Sequence, residues 1–305
     1  MRASALDGAR LSRKDDTVIL SIDRLKKTYD MGGENVVHAL EGVDLGVEKG
    51  EFMAIMGPSG SGKSTLLNMI GCLDRPDSGA ISIDGVDVTA LPARKLPEMR
   101  GRKVGFIFQT FNLVPTLTAV ENVELPMRYA GITGKKARQR AMEVLAEVGL
   151  ADRAKHFPNE LSGGQAQRVA IARALALEPA IILADEPTGQ LDTKSSEMVM
   201  DMLRDLNLRK GQTFILVTHD PIVGAAADRV VRMLDGRVVS DEVAGARTAV
   251  IPAETTPESG AGTRAGVRGD ESPGSGGNGH LERQIERLVE RLDEVIDNLD
   301  GVRVG

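Results

Sequence analysis

Between residue 17 and about residue 242 the chain alternates two patterns, short continuous apolar runs and longer stretches of helical spacing. Residues 18–22, 52–56, 81–83 and 104–108 read as strands, with Asp84-Gly85 as a turn signal. Residues 181–184 and 214–217 are apolar throughout, the pattern of strands buried on both faces. Residues 137–148 place Ala141, Leu145 and Val148 on one face of a helix. Doubly buried strands alternating with helices predict an α/β fold, a mostly parallel sheet covered on both sides.

The pattern changes at both ends. Residues 1–16 are polar and aperiodic and read as a flexible tail. Residues 244–280 are rich in Gly, Ala, Thr, Ser, Glu and Pro, including Gly274-Ser275-Gly276-Gly277. Such a segment buries too little apolar surface to offset its ordering entropy, so a disordered linker is expected. Periodicity then returns. Leu281, Ile285, Leu288, Leu292, Val295 and Leu299 form a heptad stripe, widened by Val289 and Ile296, in an amphipathic helix at 281–300. Asp293, Glu294, Asp297 and Asp300 on its polar face disfavour an anionic membrane surface. Self-association, docking and a weakly structured tail remain open for it; docking or dimerisation is the expectation.

Composition sharpens this outline. At 305 residues the chain holds one large domain plus an appendage, here 17–243 followed by linker and helix. A hydrophobic fraction of 41% with only 3% aromatics and no Trp makes the core aliphatic. The net charge of -6 leaves no electrostatic footprint for nucleic acid, which is not expected as a partner. Cys72 is the only cysteine, which excludes an intrachain disulfide and suits a reducing compartment. No run approaches the ~20 apolar residues that span a bilayer, and the N-terminus lacks the apolar core of a signal peptide. The expected location is the cytoplasm, with any membrane contact made through a partner.

The candidate chemistry begins at Gly57-Pro58-Ser59-Gly60-Ser61-Gly62-Lys63-Ser64, followed by Thr65. This is the spacing G-x-x-x-x-G-K-[ST], set between an apolar strand and a helix start. Glycines let backbone N–H groups converge on phosphate oxygens at the positive end of a helix. Lys63 then reaches the β- and γ-phosphates of a nucleoside triphosphate, and the Ser64 hydroxyl is a ligand for Mg²⁺. Asp185, ending the apolar run at 181–184, is the matching acidic residue for the metal, and Glu186 beside it is placed to polarise an attacking water. Pro187-Thr188-Gly189 follows as a turn. The fold is thus expected to be a P-loop NTPase core.

Leu161-Ser162-Gly163-Gly164-Gln165, with Arg168 and the apolar helix after it, resembles the signature of ABC ATPases. The resemblance spans about residues 17–242. It implies an antiparallel β subdomain and an inserted helical subdomain at about 110–175. It further implies a homodimer in which Ser162, Gly163, Gly164 and Gln165 of one chain bind the γ-phosphate of ATP held by the loop of the other. By the same resemblance Gln109 senses Mg²⁺, Asp192 crosses the dimer interface, His219 contacts the γ-phosphate and Tyr29 stacks on adenine. Segments such as 117–126 and 184–189 resemble the ATPases of macrolide export and lipoprotein release. That implies ATP hydrolysis with Mg²⁺ driving a separate membrane permease, and a peripheral place on the inner face of the cell membrane. An ATPase that regulates cell-envelope hydrolases through a membrane partner, without transport, is the alternative. Ala166 and Gln190 depart from the family pattern, which usually has Gln and Asn there, and both are expected near the dimer interface.

Overall fold

The structure, a computed structural model, describes residues 17–30, 32 and 36–243; the expected tail, linker and heptad helix lie outside the described residues. Two long strands open it, β1 (Val18–Asp30) and β2 (Val36–Glu48), followed by β3 (Phe52–Met56) and helix α1 (Lys63–Ile70). Next come β4 (Ser78–Ile83), β5 (Val86–Asp87), α2 (Leu96–Lys103) and β6 (Val104–Ile107). Helices α3 (Ala119–Tyr129), α4 (Gly134–Glu147) and α5 (Gly163–Leu175) separate β6 from β7 (Ile181–Asp185). The domain ends with α6 (Thr193–Lys210), β8 (Thr213–Thr218), α7 (Pro221–Ala225), β9 (Arg229–Leu234) and β10 (Arg237–Val243).

The apolar runs form the centre of a six-stranded sheet, ordered β10, β9, β3, β8, β7, β6. All its pairings are parallel except the β9–β10 hairpin. Every residue of β3 and β8 is buried, which is why neither shows a polar alternation. Their side chains divide between two cores. Phe52, Ala54, Met56, Phe214 and Leu216 face the side covered by α3, α4, α5 and α6. Met53, Ile55, Ile215 and Val217 face α1 and the inner side of a four-stranded antiparallel sheet, ordered β2, β1, β4, β5. Phe52 and Phe214 are register partners, with ring centroids 5.5 Å apart in a tilted arrangement.

The sequence expectation of a parallel α/β core with an antiparallel β part and a helical insertion matches this architecture. The structure adds β2, β5, β9, β10, α2, α3, α6 and α7 to the expected elements. β1 continues well past residue 22 because bulges, with Arg24 at φ 45°, carry it across a break in its alternation. β6 stops at Ile107, one residue short of the expected end. Helix α4 starts before the expected position, and Val148 caps it while remaining buried. α3 is opened by a capping box in which the backbone N–H of Thr118 donates to Glu121 Oε2 at 2.8 Å.

Gly105 fixes how closely α5 approaches the sheet. A Cβ on it would lie 2.6 Å from the Ala174 carbonyl oxygen, a contact that backbone must move to relieve. Gly105→Ala is expected to lower stability by about 1–3 kcal/mol, read as a shift in the denaturant midpoint at unchanged slope.

Candidate functional site

Parallel pairing in register brings the C-terminal ends of β3, β8, β7 and β6 side by side. Met56 faces Thr218, Asp185 faces Val217, and Ile107 faces Ala184. Ligands of open parallel sheets bind beyond such ends, and most of the sequence candidates lie there.

Residues 57–62 lead from β3 into α1, whose first residue is Lys63. Gly62 has φ 97°, and a Cβ there would collide with the Ala39 carbonyl oxygen, so this turn accepts only glycine. Pro58, Ser59, Gly60 and Ser64 are exposed, while Gly57 and Thr65 are half-buried. Ser61 is buried, and its Oγ has no hydrogen-bond partner among the described residues. The buried Lys63 ammonium donates to the carbonyl oxygens of Gly57 and Pro58, each at 2.8 Å. Burial draws its pKa down, and the charges of Glu186 and Asp185 push it back up.

Asp185 closes β7, and its carboxyl is pushed up to about 6 by burial first and by the neighbouring Glu186 charge second, against the pull of Lys63. Glu186 follows with φ 43°, and its N–H donates to the Val217 carbonyl at 2.9 Å. Its Oε1 lies 2.6 Å from His219 Nδ1, so the acidic turn and the residue after β8 are joined directly. The turn closes where the Gly189 N–H donates to the Glu186 carbonyl at 3.0 Å. Gln109 comes over from the end of β6, its Nε2 2.8 Å from where a Gly189 Cβ would stand.

The second phosphate-handling candidate sits elsewhere. Ser162 caps α5, its Oγ accepting from the Gln165 N–H while Gln165 Oε1 accepts from the Ser162 N–H at 2.9 Å. Gly163 and Gly164 pack beside Leu191 and Ser195, next to Asp192, which caps α6 by accepting from the Ser195 N–H at 2.9 Å. No hydrogen bond or ion pair among the described residues joins 162–165 to the loop at 57–65. Tyr29, on β1, borders the loop through Thr65. Its hydroxyl donates to Asp74 Oδ2 at 3.0 Å, and the Lys27 ammonium lies 5.0 Å from its ring centroid. Burial, then Asp74, raises its phenol pKa, while a hydrogen bond with Thr65 opposes them. Of the two departures from the family pattern, Gln190 is exposed and Ala166 is buried within its own domain.

These features fit an anionic ligand at the loop, where among the described residues a buried ammonium has carbonyl partners but no ion-pair partner within 4 Å and a buried hydroxyl has no hydrogen-bond partner. A divalent cation also fits. The charge of Glu186 adds to burial in raising the cost of ionising Asp185, and the Lys63 ammonium opposes it. No cluster of three or more His, Cys, Asp or Glu side chains among the described residues could hold a metal alone. Ser64, Asp185 and Gln109 therefore suit a cation such as Mg²⁺ that takes its remaining ligands from substrate phosphates.

Sequence candidates omit Gln167, whose wholly buried carboxamide donates to the Pro187 carbonyl at 2.5 Å. The sequence gives it no distinguishing signal, since it stands between Gln165 and Arg168, ahead of the apolar stretch that begins at Val169.

Comparison with known proteins gives the family and the fold. The family described as ABC transporter matches residues 40–189. The macrolide export ATP-binding/permease protein MacB of Rhodopseudomonas palustris is 54% identical over 211 residues, covering 69% of this chain and 32% of that protein. The lipoprotein-releasing system ATP-binding protein LolD of Bacteroides thetaiotaomicron is 50% identical over 205 residues, 67% of this chain and 94% of that one. A solved dimer of the ATP-binding cassette MJ0796, from Methanocaldococcus jannaschii, in a post-hydrolysis state with ADP and Pi, superimposes with a TM-score of 0.67. It is 48% identical and covers 73% of this chain and 98% of that one.

The raised Asp185 pKa has a sign that can be tested. The folded chain holds this proton more tightly than the unfolded chain, whose carboxyl titrates near 3.8. Stability therefore falls as pH rises from about 4 to about 6, and the penalty is complete above that. Asp185→Asn should stabilise the nucleotide-free, metal-free protein at pH 7.5 by on the order of 1–3 kcal/mol. The difference should vanish near pH 4, as thermal melts in a chelator across that range would record.

Proposed function

The chain belongs to the ABC transporter family as a LolD- and MacB-like ATP-binding subunit that hydrolyses ATP, and on that premise we propose that two copies close over two ATP molecules to drive a separate membrane permease. The observation that carries this reading is the separation within one chain of the lysine-bearing loop at 57–65 from the helix end at 162–165. Each is built to receive an anion, and neither bonds to the other. In the dimer, Ser162, Gly163, Gly164 and Gln165 would meet the γ-phosphate held by the partner's loop, with Asp192 alongside at the same face.

Within each site Lys63 exchanges the carbonyls of Gly57 and Pro58 for phosphate oxygens, and the backbone N–H groups of 57–62 cradle them. Ser64, Asp185 and Gln109 would hold Mg²⁺, which would supply charge neutralisation on the phosphates. Glu186 uses one carboxylate oxygen on His219, leaving the other to orient the attacking water. His219 fixes that carboxylate and, by turning its exposed ring, approaches the γ-phosphate. Tyr29 offers its ring to the adenine.

The names of the relatives point to export or lipoprotein extraction as the driven process. Among the described residues no helix is long and apolar enough to cross a membrane, and attachment to its inner face would come through the permease. Glu186→Gln tests the scheme. Turnover should fall by on the order of 10²–10³-fold, with ATP binding retained and dimers trapped by Mg²⁺-ATP, read by size-exclusion chromatography. Unchanged turnover would overturn the role of Glu186, and a strictly monomeric variant would overturn the shared site.

A further inference from the structure

We propose that Gln167 is a positioning residue that ties the partner-facing end of α5 to the two peptide segments carrying Glu186 and Gln109, so that closure of the dimer sets both. This rests on the shared-site reading above.

Gln167 lies on α5 just past the Ser162 cap and is wholly buried. Its Nε2 donates to the Pro187 carbonyl at 2.5 Å and to the Phe108 carbonyl at 3.4 Å. Pro187 directly follows Glu186, and Phe108 directly precedes Gln109. One carboxamide therefore grips a peptide next to each of two site residues, from just inside the helix end that would meet the partner's nucleotide. Glu186 sits at φ 43°, a sparsely populated conformation for a side-chain-bearing residue, which persists only where neighbours hold it. The grip on the following peptide is such a hold.

The free energy of the arrangement also speaks against a filler role. Gln167 Oε1 is buried with no partner among the described residues. An apolar side chain of the same length would remove that cost, so packing alone does not favour glutamine here. What glutamine adds is the forked donor contact.

A second attachment on α5 makes the link stiff. The Arg173 guanidinium donates to the Phe111 carbonyl at 2.8 Å and also to the Asn112 carbonyl. Those residues stand at φ 61° and 48°, and no carboxylate among the described residues pairs with Arg173. Gln167 and Arg173 thus hold both ends of the segment 108–112 that contains Gln109. A displacement of the α5 N-terminus has to move this segment and the turn at 187 with it.

The test uses the full-length chain with saturating Mg²⁺-ATP. Gln167→Met, an apolar near-isostere, should lower kcat by on the order of 10–100-fold. It should leave KM for ATP within about twofold, and in the Glu186→Gln background dimers should still be trapped. Gln167→Glu supplies an independent readout, because the protonated carboxyl can donate to Pro187 as the amide does. Its kcat relative to wild type, measured at each pH, should rise as pH falls. Wild-type kcat in Gln167→Met overturns the proposal. So does a loss of kcat matched by lost ATP affinity, a flat pH ratio in Gln167→Glu, or failure of both variants to fold. Loss of trapped dimers in Glu186→Gln alone would instead remove the shared-site reading beneath it.

Discussion

Parallel pairing of β3 with β8, and of β8 with β7, is the constraint on which the rest of the molecule depends. Because these strands run in the same direction and are buried along their length, whatever follows each of them emerges at one edge of the sheet. The loop after β3, the acidic turn after β7 and His219 after β8 come from positions far apart in the chain. Their proximity costs no further fold machinery. The two cores on either face of the sheet hold this edge rigid, with α1 between the sheets and α5 on the opposite side.

Electrostatics at that edge are arranged for a ligand and not for the empty protein. Asp185 and Glu186 are adjacent, Asp185 is largely desolvated, and the ammonium of Lys63 only partly compensates. Such a site opposes the ionisation of Asp185, a cost that a divalent cation beside it would relieve. Binding and folding are consequently linked through the same carboxylate. The Glu186–His219 contact does a different task, holding the carboxylate oriented across the gap between two strand ends.

Helix α5 belongs to both halves of this design. Its capped N-terminus is presented beside Asp192, away from the loop of its own chain, while its flank is bonded to the peptides around Gln109 and Pro187. The close approach at Gly105 presses its C-terminal part onto β6. A helix attached at three points along its length transmits displacement with little slack.

Local chemistry was legible in the sequence wherever a residue type is demanded by geometry. The glycines and lysine at 57–63, the acidic pair ending an apolar run, and the Ser-Gly-Gly helix start announced themselves because few other residues satisfy those backbone and charge requirements. Apolar runs marked the buried strands for the same reason. Half-exposed strands such as β9 and β10, and helices such as α6 with its mixed surface, carried weaker patterns. What tertiary structure alone decided were distances between remote segments: Glu186 against His219, Gln167 against Pro187, Ala166 turned into the domain, and Tyr29 engaged by Asp74. Spacing along a chain encodes which groups a segment carries, but the partner across a sheet edge is set by strand order, which no local pattern contains.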